Sequence, residues 1–410
     1  MSPLLIISNG HGEDVVSSRV IDRLQALPHC PPISVLPLVG TGHIFQSKGI
    51  PILGRVEIMP SGGFINMDPR QLWRDISGGL LGLTLSQYQL VRDWGKRGGK
   101  ILAVGDIVPL LFAFCSGVDY AFIGTAKSEY YLRDEEGWLS GTTWPDKLWQ
   151  SYYYPWERYF MSHERCRAVF VRDTLTSKIL QRWPIRVFDC GNPMMDDLDT
   201  EADQSSDNWV SILLLPGSRL PESVNNWLKI LAALKGIVES FPDRAIHFLG
   251  AISPNTDLGN FESPLEDFGF SRCGDGFNSG RAILTLSQTS YPQYLARADL
   301  AIAMAGTATE QVVGSGKPVI TMPGDGPQFT AHFARLQTRL LGCSVILVPS
   351  PAEVAPCVTN LLQNPELLQR IKENGKQRLG LPGASQRIAG YLLQKLGYSL
   401  EDPQQCYKDK

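Results

Sequence analysis

Short apolar runs alternate with longer amphipathic segments along most of the chain, and turns rich in glycine, proline or aspartate follow the apolar runs. Runs of roughly four to eight apolar residues favour buried strands, and apolar positions at helical spacing favour helices. Alternation of the two predicts parallel sheets covered by helices. The predicted strands are 4–8, 33–39, 100–106, 119–124, 168–173 and 187–192 in the first half and 210–218, 245–251, 282–286, 299–306, 317–324 and 344–350 in the second.

An acidic segment separates the two halves of this pattern. Positions 196–208 contain six aspartates and glutamates and almost no apolar residue, which is typical of a linker that does not enter a core. A chain of 410 residues also exceeds the roughly 250–300 residues that one core usually serves. The sequence therefore predicts two α/β domains in tandem, 1–195 and 209–380, followed by a terminal segment, 381–410.

Composition narrows the class of protein. A net charge of −3 provides no basic field, so nucleic acid is not expected as a partner. The eight cysteines form no C-x-x-C pair and have no histidine at metal-ligand spacing, which predicts reduced thiols and no metal site. The amino terminus lacks the basic region of a signal peptide, and no apolar run approaches the ~18 residues that span a bilayer. We therefore expect a cytoplasmic protein.

The turn after the first strand, NGHGED at 9–14, is a candidate site. Glycines between a parallel strand and a helix let backbone amides approach a ligand, and the helix N-terminus carries about half a positive charge. The turn lacks the third glycine of the G-x-G-x-x-G fingerprint, which disfavours a nicotinamide cofactor. His11 is predicted at the carboxyl edge of the sheet, where open α/β folds bind ligands. The alternative is a tight turn in which Glu13 or Asp14 caps the helix.

Another turn, in the second half, has the chemistry of a phosphate site. In LLLPGSR, Gly217 and Ser218 offer backbone amides and a hydroxyl, and Arg219 offers a cation that can bind two phosphate oxygens at once. The alternative is an exposed turn with a solvated arginine.

The turn after the strand at 299–306 gives a stronger indication. Gly306 and Thr307 begin a short helix whose free amides and hydroxyls, including that of Thr309, suit a diphosphate. Glu310, in the first turn, is placed to accept hydrogen bonds from two ribose hydroxyls. The alternative is that Glu310 only stabilises the N-terminus of its helix.

Four motifs together resemble those of lipid-A-disaccharide synthase and its related proteins: LLLPGSR, ADLAIAMAGTATEQ, KPVITMPGDGPQFTAHFA and CGNPMMDDL. More distantly, the chain resembles the N-acetylglucosaminyltransferase of peptidoglycan synthesis and the plant galactolipid synthases. The resemblance spans roughly residues 4–395 and is densest in the second half. It implies the GT-B fold, in which two Rossmann-like lobes with parallel sheets flank a cleft.

The same resemblance implies a UDP-sugar donor bound mainly by the second lobe. We expect no further cofactor and no metal, because the helix dipole and Arg219 can stabilise the diphosphate that develops. The 381–410 segment is then expected to contain the helix that crosses back to the first lobe. Carried over to this chain, the residues that bind the donor are Gly217, Ser218, Arg219, Gly306, Thr307, Thr309, Glu310 and Gln328, with the ribose on Glu310 and the sugar near Gln328.

The first lobe departs from this family at its first turn. The synthases have A-G-E-x-S-G-D where this chain has SNGHGED, so Asp14 keeps the final acid and the family's glutamate falls on Gly10. Asp106 matches an aspartate of the synthases, whereas His11 resembles the G-G-H turn of the more distant enzymes. Both stay open as the base that deprotonates an acceptor. The remaining acceptor-side residues are Asn9, Gly10, Gly12, Glu13 and Asp14.

Two further stretches bear on the acceptor. Residues 77–100 combine an apolar stripe (Leu80, Leu83, Leu90, Val91 and Trp94) with basic residues, which suits either an anionic membrane surface or a core. The aromatic run SYYYPWERYFM at 151–161 suits either an acceptor groove or a core.

The sequence thus predicts a metal-independent, inverting hexosyltransferase that moves a sugar from UDP to a lipid-linked or amphipathic acceptor, on the inner face of a membrane. One alternative is an isomerase like UDP-N-acetylglucosamine 2-epimerase, although the histidine and glutamate signatures of that family find no match here. The other is a binding protein that has kept the donor site and lost catalysis, which the altered first turn allows.

Overall fold

The computed structural model describes residues 1–54, 80–196, 198, 209–326 and 329–398. The chain divides into two compact units, here called unit 1 and unit 2. Unit 1 comprises Met1–Asp196 together with the segment from Leu381 onward, and unit 2 comprises Asp197–Gly380. Each unit has its own sheet and its own hydrophobic core.

The sheet of unit 1 is parallel, with the strand order β2-β1-β3-β4-β5-β6. The chain runs from β1 outward to β2 and then returns to β3 on the other side of β1, so the order reverses between β1 and β3. Ligands of open α/β sheets bind at such a switch point. The strands are Leu4–Ser8 (β1), Ile33–Pro37 (β2), Lys100–Gly105 (β3), Tyr120–Gly124 (β4), Cys166–Val171 (β5) and Val187–Phe188 (β6).

Helices cover both faces of this sheet, which explains why its strands read as continuous apolar runs. In β1, Leu5 and Ile7 enter one core cluster, and Leu4 and Ile6 enter the other. The helices are His11–Gln25 (α1), His43–Gln46 (α2), Leu80–Lys96 (α3), Ile107–Cys115 (α4), Trp144–Trp149 (α5), Pro155–Ser162 (α6), Thr174–Leu180 (α7) and, near the end of the chain, Ala384–Lys395 (α15).

Four described residues of the apolar stripe of α3 contact the core of unit 1. Leu83 and Val91 are buried, and Leu90 and Trp94 pack against the same cluster. Leu83 and Val91 therefore serve the core, and contact of residues 77–100 with a membrane surface stays a prediction. Among the helices that the structure describes, none is long and apolar enough to cross a membrane.

Asp196 connects the carboxyl-terminal helix to the rest of unit 1. The sequence pattern placed Asp196 in an acidic linker, but its side chain is 2% exposed. Its carboxylate accepts hydrogen bonds from the backbone amides of Gly383 at 2.6 Å, Ala384 at 2.9 Å and Ser385 at 2.7 Å. These are donors at the start of α15, where a helix lacks internal acceptors and favours a negative charge. The linker prediction is thus wrong for Asp196, and positions 197 and 199–208 lie outside the described residues.

We expect Asp196→Ala to destabilise unit 1 by about 2 kcal/mol, because it removes the acceptor of three amides at a helix N-terminus. Asp196→Asn keeps one carbonyl oxygen and should lose less. Urea unfolding, with hydrogen exchange of the α15 amides as the local measurement, checks both values. Equal stability of all three proteins would show that solvent replaces the carboxylate without cost.

The sheet of unit 2 has the order β14-β13-β12-β7-β8-β11-β10-β9. Its strands are parallel except for β9 and β10, which form antiparallel pairs at one edge. The chain runs from β7 through β8 to β11 and then crosses to β12 on the other side of β7, so the switch point lies between β7 and β12. The strands are Trp209–Leu215 (β7), Ala245–Ala251 (β8), Ser271–Cys273 (β9), Gly276–Ser279 (β10), Ala282–Ser287 (β11), Leu300–Ala303 (β12), Val319–Thr321 (β13) and Val345–Leu347 (β14).

The core of unit 2 lies between this sheet and its helices, with Trp227 and Phe248 among its fully buried side chains. All twelve predicted strands are present, although several are shorter than the apolar patterns suggested. The helices are Glu222–Ser240 (α8), Gly259–Glu262 (α9), Tyr291–Arg297 (α10), Thr307–Gly314 (α11), Ala331–Leu341 (α12), Val354–Leu362 (α13) and Pro365–Leu379 (α14).

Candidate functional site

In unit 2, the turns after β7 and β12 meet at the switch point. The amide of Met304 donates to the carbonyl of Leu215 at 2.8 Å. Asn226 of α8 holds both turns, because its amide nitrogen donates to the carbonyls of Pro216 at 3.0 Å and Met304 at 3.4 Å. Gly217 has a φ of +97°, and a Cβ there would lie 3.1 Å from the Met304 carbonyl oxygen. Both the conformation and the space at position 217 thus require glycine.

The N-terminus of α11 follows the second of these turns. Thr307 is exposed at the first helical position, where the amides have no acceptor within the helix. Thr309 is fully buried, and its hydroxyl donates to the carbonyl of Ala305 at 2.7 Å. Gln337 of α12 donates to the same carbonyl at 2.8 Å. The hydroxyl proton of Thr309 therefore holds the turn together, and of the two threonines only Thr307 is exposed.

Arg219 and Glu310 lie at the same edge of the unit 2 sheet, each half-buried. Burial lowers the pKa of Arg219, and the nearby carboxylate of Glu222 opposes this effect. Glu310 lies in the first turn of α11. The two predicted motifs, Gly217–Arg219 and Gly306–Glu310, therefore follow neighbouring strands of one sheet and form the candidate site of unit 2.

A third turn, after β13, is attached to the start of α8. Glu222 is buried and accepts the backbone amide of Phe329 at 2.5 Å. Lys229 pairs with Asp325 at 2.6 Å and donates to the carbonyl of Pro323 at 2.9 Å. Gln328, predicted to reach the sugar, lies outside the described residues. No motif marks Glu222, Asn226 and Lys229 in the sequence, and the helix pattern that starts directly after PGSR is the available indication that they face this edge.

In unit 1, the turns after β1 and β3 meet at the switch point in the same way. Asp106 caps α4, and its carboxylate accepts the amide of Val108 at 2.8 Å. Gly105 has a φ of +135°, and a side chain there would collide with the Asn9 amide oxygen. The amide of Thr125, after β4, donates to the carbonyl of Gly105 at 3.1 Å. Three adjacent turns of unit 1 are thus packed together around Asp106.

The two acids of the NGHGED turn differ in exposure, since Glu13 is half-buried and Asp14 is buried. Burial raises the pKa of Glu13, and the charge of Asp106 adds to this while His11 opposes it. Burial raises the pKa of Asp14 to about 7, although Asp14 accepts the hydroxyl of Ser8 at 2.5 Å. His11 itself is exposed at the first position of α1. The structure therefore brings together His11, Glu13 and Asp106, and places Asp14 in the core behind them.

The aromatic run at 151–161 is divided between core and surface. Tyr153 is buried, whereas Trp156 is 46% exposed and stacks on Tyr154 with ring centroids 4.8 Å apart. Trp149 contacts both of these rings edge-on. The ammonium of Lys127 lies 4.2 Å from the centroid of Tyr154. The acceptor groove stays a prediction for the exposed half of this run.

Within the described part of the chain, no three His, Cys, Asp or Glu side chains are grouped so that they could hold a metal ion. The cysteines described there are all free thiols.

No protein-family model and no curated protein matches the chain. Solved structures match it over almost its whole length. UDP-GlcNAc 2-epimerase from Neisseria meningitidis bound to UDP-GlcNAc has 17% identity, covers 96% of this chain and 100% of its own, and has a TM-score of 0.54. MurG of Acinetobacter baumannii has 14% identity, coverage of 96% and 100%, and a TM-score of 0.57. The glycotransferase of kitacinnamycin has 12% identity, coverage of 96% and 99%, and a TM-score of 0.56.

Identities this low establish the fold alone. The predicted α/β fold with two Rossmann-like lobes, GT-B, is confirmed. Epimerases and glycosyltransferases both occur among these neighbours, so the fold does not choose between them. The neighbours share the GT-B fold and leave the resemblance to lipid-A-disaccharide synthase as a prediction from the motifs.

Proposed function

We propose that this chain is a UDP-sugar-dependent glycosyltransferase that acts on a lipid-linked or amphipathic acceptor. The observation that carries the proposal is the meeting of the Gly217–Arg219 turn and the N-terminus of α11 at the switch point of unit 2. An anion at this place would meet backbone amides, the positive end of a helix dipole and a guanidinium. A nucleoside diphosphate has the matching charge and length.

Each candidate residue of unit 2 then has a distinct role. Arg219 and the first amides of α11 bind the diphosphate, and the exposed hydroxyl of Thr307 adds a donor. Glu310 accepts both ribose hydroxyls, which its carboxylate can do with two oxygens. These groups also stabilise the negative charge that develops on UDP as it leaves, because their dipoles are fixed before the reaction begins.

In the proposed transfer, the acceptor oxygen attacks the anomeric carbon from the face opposite UDP. The new C–O bond forms as the bond to the diphosphate oxygen breaks, and UDP departs with that electron pair. The acceptor proton goes to Asp106 or His11. Asp106 is the stronger candidate because its hydrogen bond from Val108 fixes it at the switch point of unit 1, whereas His11 is exposed.

An isomerase is the second candidate, favoured by the UDP-GlcNAc 2-epimerases among the structural neighbours. Two carboxyl groups near each other, Glu13 and Asp106, would suit the proton transfers that such a reaction needs. Incubation with a UDP-sugar alone separates the two functions. An epimerase yields a new UDP-sugar without any acceptor, and a transferase does not.

A calorimetric titration with UDP tests the donor site. We expect saturable binding that Glu310→Ala weakens by about 10–100-fold, because a buried hydrogen bond to a charged group contributes roughly 1.5–3 kcal/mol. The matched control is Glu366→Ala, since Glu366 is also a first-turn glutamate, in α14, and is exposed. It should leave binding unchanged.

A UDP analogue without the two ribose hydroxyls sharpens this test. The analogue should bind the parent and Glu310→Ala equally, since it lacks the groups that Glu310 is proposed to hold. Absence of UDP binding to the parent, or full affinity for UDP in Glu310→Ala, would remove the basis of the proposed function.

A further inference from the structure

The carboxyl group of Glu13 lies against the turn that carries His11. Thr125 donates its hydroxyl to one oxygen of Glu13 at 3.0 Å. The other oxygen lies 2.6 Å from the place that a Cβ on Gly10 would occupy. Gly10 has a φ of 167°, an extended conformation that any residue adopts, so a side chain at this position requires only that the Glu13 carboxyl group move. Positions 10 and 13 therefore compete for one volume.

This contact lies where SNGHGED differs from the A-G-E-x-S-G-D turn that it resembles. The glutamate of that motif falls on Gly10, and this chain has its own glutamate three residues later, in the first turn of α1. The side chain of Glu13 folds back over Gly10. Its carboxyl group therefore lies where the side chain of a residue at position 10 would begin. The acid is thus present in the turn, supplied from a different position.

Glu13 interacts electrostatically with both candidate bases, Asp106 and His11. Asp106 raises the pKa of Glu13, and His11 lowers it. The carboxylate of Asp14 accepts a hydrogen bond from the hydroxyl of Ser8, and Arg172 donates to the carbonyl of Thr125 at 3.0 Å. Burial raises the pKa of Glu13, and the hydrogen bond from Thr125 opposes this effect.

We propose that Glu13 is a positioning residue of the unit 1 site. Held by Thr125 and packed over Gly10, its carboxyl group fixes the Asn9–His11 turn and sets the electrostatic environment that His11 and Asp106 share. This inference rests on the proposed function only where turnover is the measurement. The conformational and electrostatic parts concern unit 1 alone.

A carboxyl titration by NMR tests the electrostatic part without any substrate. In protein labelled with ¹³C at glutamate carboxyl groups, the Glu13 resonance is identified by its loss in Glu13→Gln. Its titration should lie above the ordinary glutamate range. Asp106→Asn should move it to lower pH by removing a negative charge, and His11→Gln should move it to higher pH by removing a positive one. A Glu13 titration that neither substitution moves would overturn the proposal.

A double-mutant cycle tests the packing. Gly10→Ala should lower the urea midpoint of unit 1 in the parent, because its methyl group meets the Glu13 carboxyl. The same substitution should cost much less in a Glu13→Ala background. Additive effects of the two substitutions would show that the positions do not share one volume, and would contradict the proposal.

Turnover provides the third readout, with UDP affinity as the control. Glu13→Ala should lower kcat by about 10–100-fold, because a displaced turn misplaces the reacting groups. The variant Gly10→Glu with Glu13→Ala should recover part of this loss, and Glu13→Gln should alter the pH profile of kcat. The matched control is Glu136→Gln, an exposed glutamate of unit 1. Unchanged kcat and pH profile in both Glu13 variants would overturn the positioning role.

The outcomes separate this inference from the proposed function. If the parent fails to bind UDP, the proposed function fails, and the NMR titration with the double-mutant cycle still decides the role of Glu13. If the parent binds UDP and transfers sugar while all Glu13 variants behave as the parent does, only the inference about Glu13 fails.

Discussion

Asp106→Asn is expected to lower turnover by about 10²–10⁴-fold, the usual contribution of a positioned base, while leaving UDP affinity unchanged. Asparagine has the shape of aspartate, and its carbonyl oxygen can still accept the amide of Val108, so the cap of α4 should persist. What the variant loses is the ability to take the acceptor proton. The measurement is kcat with a saturating acceptor, beside calorimetric binding of UDP.

His11→Ala is the matched comparison, because His11 is the other candidate base and lies in a separate turn of the same unit. If Asp106 is the base, His11→Ala should be less impaired than Asp106→Asn. An active Asp106→Asn beside an inactive His11→Ala would assign the proton transfer to His11. Activity at the parent level in both variants would leave the proposed transfer without a base from this site.

The stability of unit 1 should fall as the pH rises from about 4 to about 7. Burial raises the pKa of Asp14 from 3.8 to about 7 in the folded protein, so the folded state binds a proton that the unfolded chain releases near pH 4. The contribution is fully present below pH 4 and is lost as the pH passes 7. A shift of this size corresponds to roughly 4 kcal/mol between the two limits.

Asp14→Asn provides the control for this pH dependence. Asparagine can accept the Ser8 hydroxyl and carries no titrating group, so the difference in stability between pH 5 and pH 8 should shrink. Hydrogen exchange of the β1 and α1 amides at the two pH values reports on this part of unit 1. An identical pH dependence in the parent and Asp14→Asn would mean that Asp14 ionises in the folded protein as it does in the unfolded chain.

Most strands of the two sheets could be predicted from local sequence patterns. Strands buried on both faces are long enough and apolar enough to stand out, as β1 and β7 do. Their ends were overestimated where turn residues follow directly, as at Pro216 and Gly217 after β7. The edge strands β9 and β10 were missed, because they are short and the residues of β9 are exposed, so no alternation of apolar residues marks them.

The sites were predictable as far as each turn could be recognised by itself. The partners that hold those turns come from distant positions. Thr125 is 112 residues from Glu13, and Phe329 is 107 residues from Glu222. Residues so far apart in the sequence cannot be paired from the local spacing of apolar and polar positions. Asp196 shows the same limit, since its neighbours in sequence are acidic and polar while its partners are the amides of a helix 187–189 residues later.

The place of α15 has a consequence for biosynthesis. Ile388, Leu392 and Leu393 complete one core cluster of unit 1, but the ribosome adds them only after the whole of unit 2 has been made. At roughly 5–20 residues per second, the ~190 intervening residues take roughly 10–40 s. During that interval the apolar residues of this cluster that α15 buries in the folded protein stay exposed to water.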